Sequence, residues 1–290
     1  MPLIVTLLSD FGSGSPYPGQ MKAVLASSCD AVFIDITHDI PRHDIRAGAY
    51  VLSAVARTTP AGTVHLAVVD PGVGTTRRPL IVASGGQCFV GPDNGLLLPA
   101  AKRVGRPHAY VIQAPEILRS VASSTFHGRD LFAPVAAQLV LGTPPQALGG
   151  VVEDPVELTL GAGYRAGDTL HGEVLYVDAF GNLITNIPAA ELPGDGSPIQ
   201  LTIGRRRIRA TAARTYGNVA RGGIAVVPGS DGLLEVAVRE GSAATRLAVS
   251  QGAKVRIEVA RTTARPSALM KKEQSRGRTG IGTEDGLADA

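Results

Sequence analysis

Cysteine is nearly absent from the 290 residues: Cys29 and Cys88 are the only two, and they show neither metal-ligand nor redox spacing. That pattern suits a reducing compartment. An excess of one charge is also lacking, because charged residues make up 18% of the chain and the net charge is +3 despite a sequence pI near 9.0. No strong attraction for a polyanion follows, so nucleic acid is not an expected partner. No run of about 18 apolar residues exists to cross a bilayer. The opening MPLIVTLLSD has no basic stretch and meets an acid at Asp10, which reads as a strand rather than a signal peptide. Together these absences predict a soluble, cytoplasmic protein with no membrane partner.

What is present is a globular, turn-rich composition, 44% hydrophobic with 35 Gly and 20 Pro. The length allows one large or two ordinary domains. LIVTLLSD (3–10) is a continuous apolar run, as in a strand buried on both faces. GQMKAVLASSC (19–29) has helical spacing, and AVFIDIT (31–37) is a second strand. DIRAGAYVLSAVART (44–58) is an Ala-rich amphipathic helix with Asp44 placed to cap it. TVHLAVVD (63–70), PLIVASG (79–85) and QCFVGPDNG (87–95) add strands. Strand-helix-strand order predicts an α/β domain with a mainly parallel sheet, in which ligands bind beyond the carboxyl ends of strands. Asp10 and Asp70 both stand at such ends.

Residues 142–168 are dense in Gly and Pro, and the boundary falls there. The expected organisation is an α/β domain over 1–150, a linker over 151–168, an antiparallel β-barrel over 169–262 and a disordered tail over 263–290. Short strands between frequent turns, such as LITNI, IQLTIG and KVRIEVART, carry the barrel assignment.

Candidate chemistry concentrates in a few loops. VVDPGVGTTRRPL (68–80) places Asp70 before a Pro-Gly turn and ends in Arg77 and Arg78, one of which reads as a solvated surface charge. Taken alone, Asp70 is as readily a turn former. His127 lies in SSTFHGRDLF, where a structural role is the commoner one and where Arg129 and Asp130 can pair or cap the following helix. VDAFGNLITN carries Asp178, Phe180 and Asn182 around a Gly, and PGSDG (228–232) offers Ser230. A plain β-turn uses the same residues. Phe180 can equally stack on a flat ring while Asn182 reads a base edge. GRRRIRA (204–210) has no interleaved aromatics and reads as a solvated hairpin, and GPDNG (91–95) as a turn-rich hairpin.

In chain order, SDFG (9–12), DITHDIPRHDIRAGAYVL (35–52), VVDPGVGTTRRPL (68–80), VGPDNGLL (90–97), FHGRD (126–130) and DAFGNLITNI (178–187) closely resemble the S-adenosyl-L-methionine hydroxide adenosyltransferases, or SAM hydrolases, relatives of fluorinase and chlorinase. The resemblance spans roughly residues 3 to 258. It implies an N-terminal α/β domain, a C-terminal barrel and a homotrimer whose active sites lie between one subunit's N-domain and a neighbour's C-domain. It implies hydrolysis of S-adenosylmethionine at the ribose C5′ to adenosine and methionine, with the sulfonium as substrate and neither metal nor cofactor. By motif position the catalytic Asp, Arg and His are Asp70, Arg77 and His127, which makes Arg77 rather than Arg78 the functional arginine. Asp10 resembles the ribose-hydroxyl ligand, Asp178 and Ser230 the groups holding the methionine end, and Phe180 and Asn182 the adenine contacts.

A sulfonium departs as a neutral thioether, so the difficulty lies in the nucleophile, since bulk water has a pKa of about 15.7. The expectation is that Asp70 and His127 orient the water and take or relay its proton, while Arg77 stabilises developing hydroxide charge and holds the Asp carboxylate. Three positions depart from the family pattern: Ser15 where another Asp is usual, His43 where an aromatic ring is common, and Asp231 where the halogenating relatives carry an Arg. Ser15 and His43 leave room for a nucleoside-binding protein without turnover. A halogenase is disfavoured because a carboxylate beside a halide repels it and because no long insertion separates Ile81 from Gly91. A metal-dependent hydrolase on Asp10, Asp70, His127 and Asp130 lacks any HxH or HxxxE spacing.

Overall fold

The computed structural model describes residues 2–259, and the tail expected over 263–290 lies outside them. The first seven strands are β1 (Ile4–Ser9), β2 (Val32–Thr37), β3 (Val64–Val68), β4 (Pro79–Ser84), β5 (Gln87–Pro92), β6 (His108–Ile112) and β7 (Gly149–Val152). They form one sheet in the order β2-β1-β3-β5-β4-β6-β7. The pairings among β2, β1, β3 and β5 are parallel, and those of β4 and β6 with their neighbours are antiparallel, so five of the seven strands share a direction. β1 and β3 are the continuous apolar runs, and both are buried on either face.

Helices cover both faces of this sheet. α1 (Tyr17–Ser28) buries Pro18, Met21 and Leu25 and packs beside α5, while α2 (Ile45–Ala56) and α3 (Leu98–Val104) lie on the other side. α4 (Pro115–Ser120) leads towards a π-helical turn, Gly128–Phe132, that runs into α5 (Ala133–Val140). Asp44 caps α2 as expected, its carboxylate accepting the Ala47 N–H at 2.9 Å. The GPDNG segment is not a hairpin turn. β5 ends at Pro92 and the chain continues into α3, while Asp93 and Asn94 bond inward to the β3–β4 loop and its surroundings.

β8 (Tyr164–Ala166), β9 (Thr169–Val177), β10 (Leu183–Pro188), β11 (Pro198–Ile203), β12 (Arg206–Ala212), β13 (Ile224–Pro228), β14 (Leu233–Val238) and β15 (Lys254–Val259) form the second sheet. The β9–β10 pairing closes seven of these strands into a barrel, with β8 hanging on β9 outside the closure. Its pairings are antiparallel except β12–β13, which is parallel, so the barrel is mixed. The inward residues of alternating strands, Leu201, Ile203, Val255 and Ile257 among them, fill its interior. GRRRIRA falls on the β11–β12 hairpin, where Arg207 pairs with Glu258 at 3.0 Å. Among the described residues no helix is long and apolar enough to cross a membrane.

α2 also joins the two domains. Tyr50 and Val51 pack against Leu175, Tyr176, Ile184 and Leu233 of the barrel. Arg46 pairs with Glu173 and donates to the Leu160 carbonyl at 2.9 Å.

Candidate active site

Asp70 follows β3 at its carboxyl end, and the loop 70–78 turns the chain back over it. The turn closes through Val73 N–H to the Asp70 carbonyl and Thr75 N–H to the Gly72 carbonyl. Gly74 has a positive φ of 77°, and a Cβ there would lie 2.9 Å from the Ser124 carbonyl oxygen. Only glycine allows the loop to lie this close to the segment leading to His127. Asn94 Nδ2 donates to the Val69 carbonyl at 2.8 Å and so fixes the backbone just before Asp70.

Arg77 folds back from the far end of the loop. Its Nε lies 3.0 and 3.1 Å from the two Asp70 carboxylate oxygens, and its Nη2 lies 2.5 Å from Oδ2. The same Nη2 donates to His127 Nδ1 at 2.8 Å. The guanidinium stands 5.2 Å from the ring centroid of Phe132, which is fully buried. The Asp70 and Arg77 side chains are only 4% and 11% exposed, so the pair is shielded from water screening. Arg77 is seven positions from Asp70 in the same loop but 50 from His127, and the fold gathers all three on one guanidinium.

A guanidinium can only donate, so His127 Nδ1 must accept and the ring proton sits on Nε2. Burial, and next the Arg77 charge, hold the His127 pKa below its usual value. The imidazole is therefore neutral at pH 7, with an N–H to offer. Arg78, by contrast, is no solvated surface charge. It donates to Asp93 Oδ2 at 2.7 Å, to Asp154 Oδ1 at 2.7 Å and to the Asp154 carbonyl at 2.8 Å, tying the loop to the chain beyond β7.

Asp10 lies just past β1, where its Oδ2 accepts the His43 backbone N–H at 2.9 Å. Two features of this region were not read from sequence. Phe11, Tyr17 and Phe126 form an edge-to-face cluster with centroids 5.1 to 5.8 Å apart, which joins the loop after β1 to the residue before His127. Ser9, His38, Asp35 and Lys22 form a hydrogen-bonded chain, with Ser9 Oγ 2.7 Å from His38 Nδ1 and His38 Nε2 3.1 Å from Asp35. Ser9 is fully buried, so this chain braces the end of β1 and presents no nucleophile. Only the two Phe residues flanking Asp10 and His127 could have hinted at the cluster. Arg129 and Asp130 pair with each other, Asp130 also accepting the Ser123 N–H at 2.8 Å.

The barrel residues form a second group. Asp178 Oδ1 accepts the N–H groups of Phe180 and Asn182 at 2.9 and 2.8 Å, and its Oδ2 accepts Asn182 Nδ2 at 2.9 Å. This is a tight turn stabilised by its own Asp. It leaves the Asn182 Oδ1 unengaged and stands Phe180 out at 80% exposure. Ser230 is exposed in the β13–β14 loop. Among the described residues no hydrogen bond, ion pair or ring contact links Asp178, Phe180, Asn182 or Ser230 to Asp10, Asp70, Arg77 or His127. Nor do three His, Cys, Asp or Glu side chains gather as a metal site.

Residues 5–149 match the SAM hydroxide adenosyltransferase N-terminal domain, and residues 172–256 match its C-terminal domain. The (R)-S-adenosyl-L-methionine hydrolase of Thermus thermophilus is 41% identical over 261 residues, covering 87% of this chain and 98% of that protein. At greater distance, the fluorinase of Nocardia brasiliensis is 26% identical over 290 residues, covering 88% of this chain and 97% of its own. The crystal structure of an uncharacterized conserved protein from Thermotoga maritima superposes with a TM-score of 0.82 at 35% identity, over 87% of this chain and 99% of that one. Both domains match in order over most of their length, and the chain belongs to the SAM hydroxide adenosyltransferase family.

Proposed function

We propose that the protein hydrolyses S-adenosyl-L-methionine to adenosine and L-methionine, with Asp70, Arg77 and His127 as its catalytic residues. The observation that carries this reading is the single Arg77 guanidinium bonded to both Asp70 and His127 at the carboxyl end of β3. Water attacks the ribose C5′ in line with the C–S bond. As the C5′–O bond forms, the C–S electron pair returns to sulfur, which leaves as the neutral thioether of methionine. The water oxygen becomes positively charged in the same step, so its proton turns strongly acidic and a carboxylate suffices to receive it. Asp70 is that acceptor. His127, protonated on Nε2, donates to the water oxygen and orients it. Arg77 holds the Asp70 carboxylate in place and His127 in this tautomer.

The methylene that water attacks is held by its flanking groups. Asp10 takes the ribose hydroxyls, Asn182 presents Oδ1 to the adenine amino group, Phe180 stacks on the ring, and Asp178 and Ser230 hold the methionine end. The two groups of residues are not joined within one chain, and an exposed Phe180 is the kind of side chain that a neighbour covers. Both features support a homotrimer that completes each site from two subunits. We extend to this chain the R sulfonium configuration carried in the Thermus relative's name, and a cytoplasmic location.

Reaction in 18O-labelled water, followed by mass spectrometry, tests the chemistry. Label is expected in the adenosine 5′-OH, and Arg77→Ala should abolish its appearance while adenosine still binds. Unlabelled adenosine, or normal turnover by Arg77→Ala, overturns the assignment.

A further inference from the structure

Asp231, in the β13–β14 loop, has one carboxylate oxygen and its backbone carbonyl already engaged. Tyr50 of α2, 8% exposed, donates its hydroxyl to Asp231 Oδ2 at 2.5 Å. Arg57, the residue that ends α2, donates to the Asp231 carbonyl at 3.0 Å. Arg103, in the last turn of α3, donates to the same carbonyl at 2.8 Å. Three side chains from two helices of the α/β domain thus converge on one residue of a barrel loop.

The rest of the loop is fixed from below. Gly229 N–H bonds to the Leu233 carbonyl at 2.7 Å, and Gly232 N–H to the Gly229 carbonyl at 3.2 Å. Glu235 lies directly under Gly229, where a Cβ would fall 2.3 Å from its Oε1, and it accepts the Tyr216 hydroxyl at 2.5 Å. Burial, together with Asp178 and Asp231, raises the Glu235 pKa. Between these two clamps Ser230 is exposed and its hydroxyl makes no hydrogen bond.

We propose that Tyr50, Arg57 and Arg103 are positioning residues that hold Asp231 and thereby aim the Ser230 hydroxyl at the amino-acid end of the substrate. This rests on the reading of Ser230 as a methionine contact. Asp231 is then a loop anchor rather than a ligand, and the α/β domain sets the geometry of the barrel's half-site through α2 and α3. An immobilised loop loses no freedom when it binds, which is the source of its affinity and selectivity.

The test compares kcat/KM for S-adenosylmethionine with that for its decarboxylated analogue, using the full-length enzyme. Ser230→Ala should compress the ratio roughly tenfold, as expected for one lost hydrogen bond. Tyr50→Phe should compress it similarly, through KM and not kcat. The double variant should be no worse than either single one. Asp231→Asn keeps an acceptor for Tyr50 and should retain wild-type selectivity. Arg57→Ala/Arg103→Ala alters only exposed side chains and puts the same question without opening the core. If Ser230→Ala compresses the ratio while Tyr50→Phe and the double arginine variant do not, the clamp is wrong and the Ser230 assignment stands. If Ser230→Ala leaves the ratio unchanged, the assignment fails and the proposal falls with it.

Discussion

Arg77 illustrates how one side chain can orient two others. It has no acceptor to offer, so every partner must supply a lone pair: Asp70 through both carboxylate oxygens and His127 through Nδ1. Burial disfavours a charged His127, and protonation would also place a second cation against the guanidinium, so its pKa is depressed. The sign is that of a group that must be neutral to function. Activity is therefore retained as pH falls through 6.5, the ordinary histidine value, and is lost only below it. A kcat/KM profile should show an acidic limb under pH 6.5, and a limb above that value would contradict the Nε2–H tautomer. Arg78 sits one position away with the same chemistry but faces Asp93 and Asp154 instead. Its replacement should loosen the β3–β4 loop rather than remove a group from the reaction.

At the scale of elements, β3 is the support on which the site stands. All five of its residues are buried, and Asp70 is held two positions past its end. Its partner β5 approaches so closely at Gly91 that an added Cβ would lie 2.2 Å from the Ala67 carbonyl oxygen. That neighbour is backbone and cannot swing aside, so Gly91→Ala must spread β3 from β5. Overpacking of this kind costs about 1–3 kcal/mol. Urea denaturation should register that loss, and kcat should fall with it because Asp70 moves with β3. A stable variant with full activity would mean that the two strands are free to part. α2 has the complementary role. Its first turn lies beside His43 and Asp10, its middle carries Tyr50 to the barrel, and its end supplies Arg57.

For the whole molecule the open arrangement matters most. Asp10, Asp70, Arg77 and His127 lie in the α/β domain, whereas Asp178, Phe180, Asn182 and Ser230 lie in the barrel, and among the described residues no hydrogen bond, ion pair or ring contact links the two sets. A trimer with shared sites predicts complementation. Arg77→Ala chains and Asp178→Ala chains, each inactive alone, should regain activity when unfolded together and reassembled. With random mixing about a quarter of the sites would pair two intact halves. Inactivity of the mixture would assign both halves of the site to one subunit.

The sequence by itself determined much of this protein. Its apolar runs became β1 and β3, Asp44 capped α2, and the motif order identified both domains, because hydrophobic periodicity, capping chemistry and motif spacing are local properties of the chain. Asp70 and Arg77 share one loop, but that His127 joins them was suggested by family resemblance alone, since a residue 50 positions away carries no local sign of the meeting. The structural duty of Arg78, the inward turn of Asp93 and Asn94 and the parallel β12–β13 pair were misread for the same reason. Each depends on which backbone or carboxylate the fold delivers opposite the residue. Only tertiary structure decided those partners, because hydrogen bonds and buried ion pairs are set by distance in space, and distance along the chain says little about it.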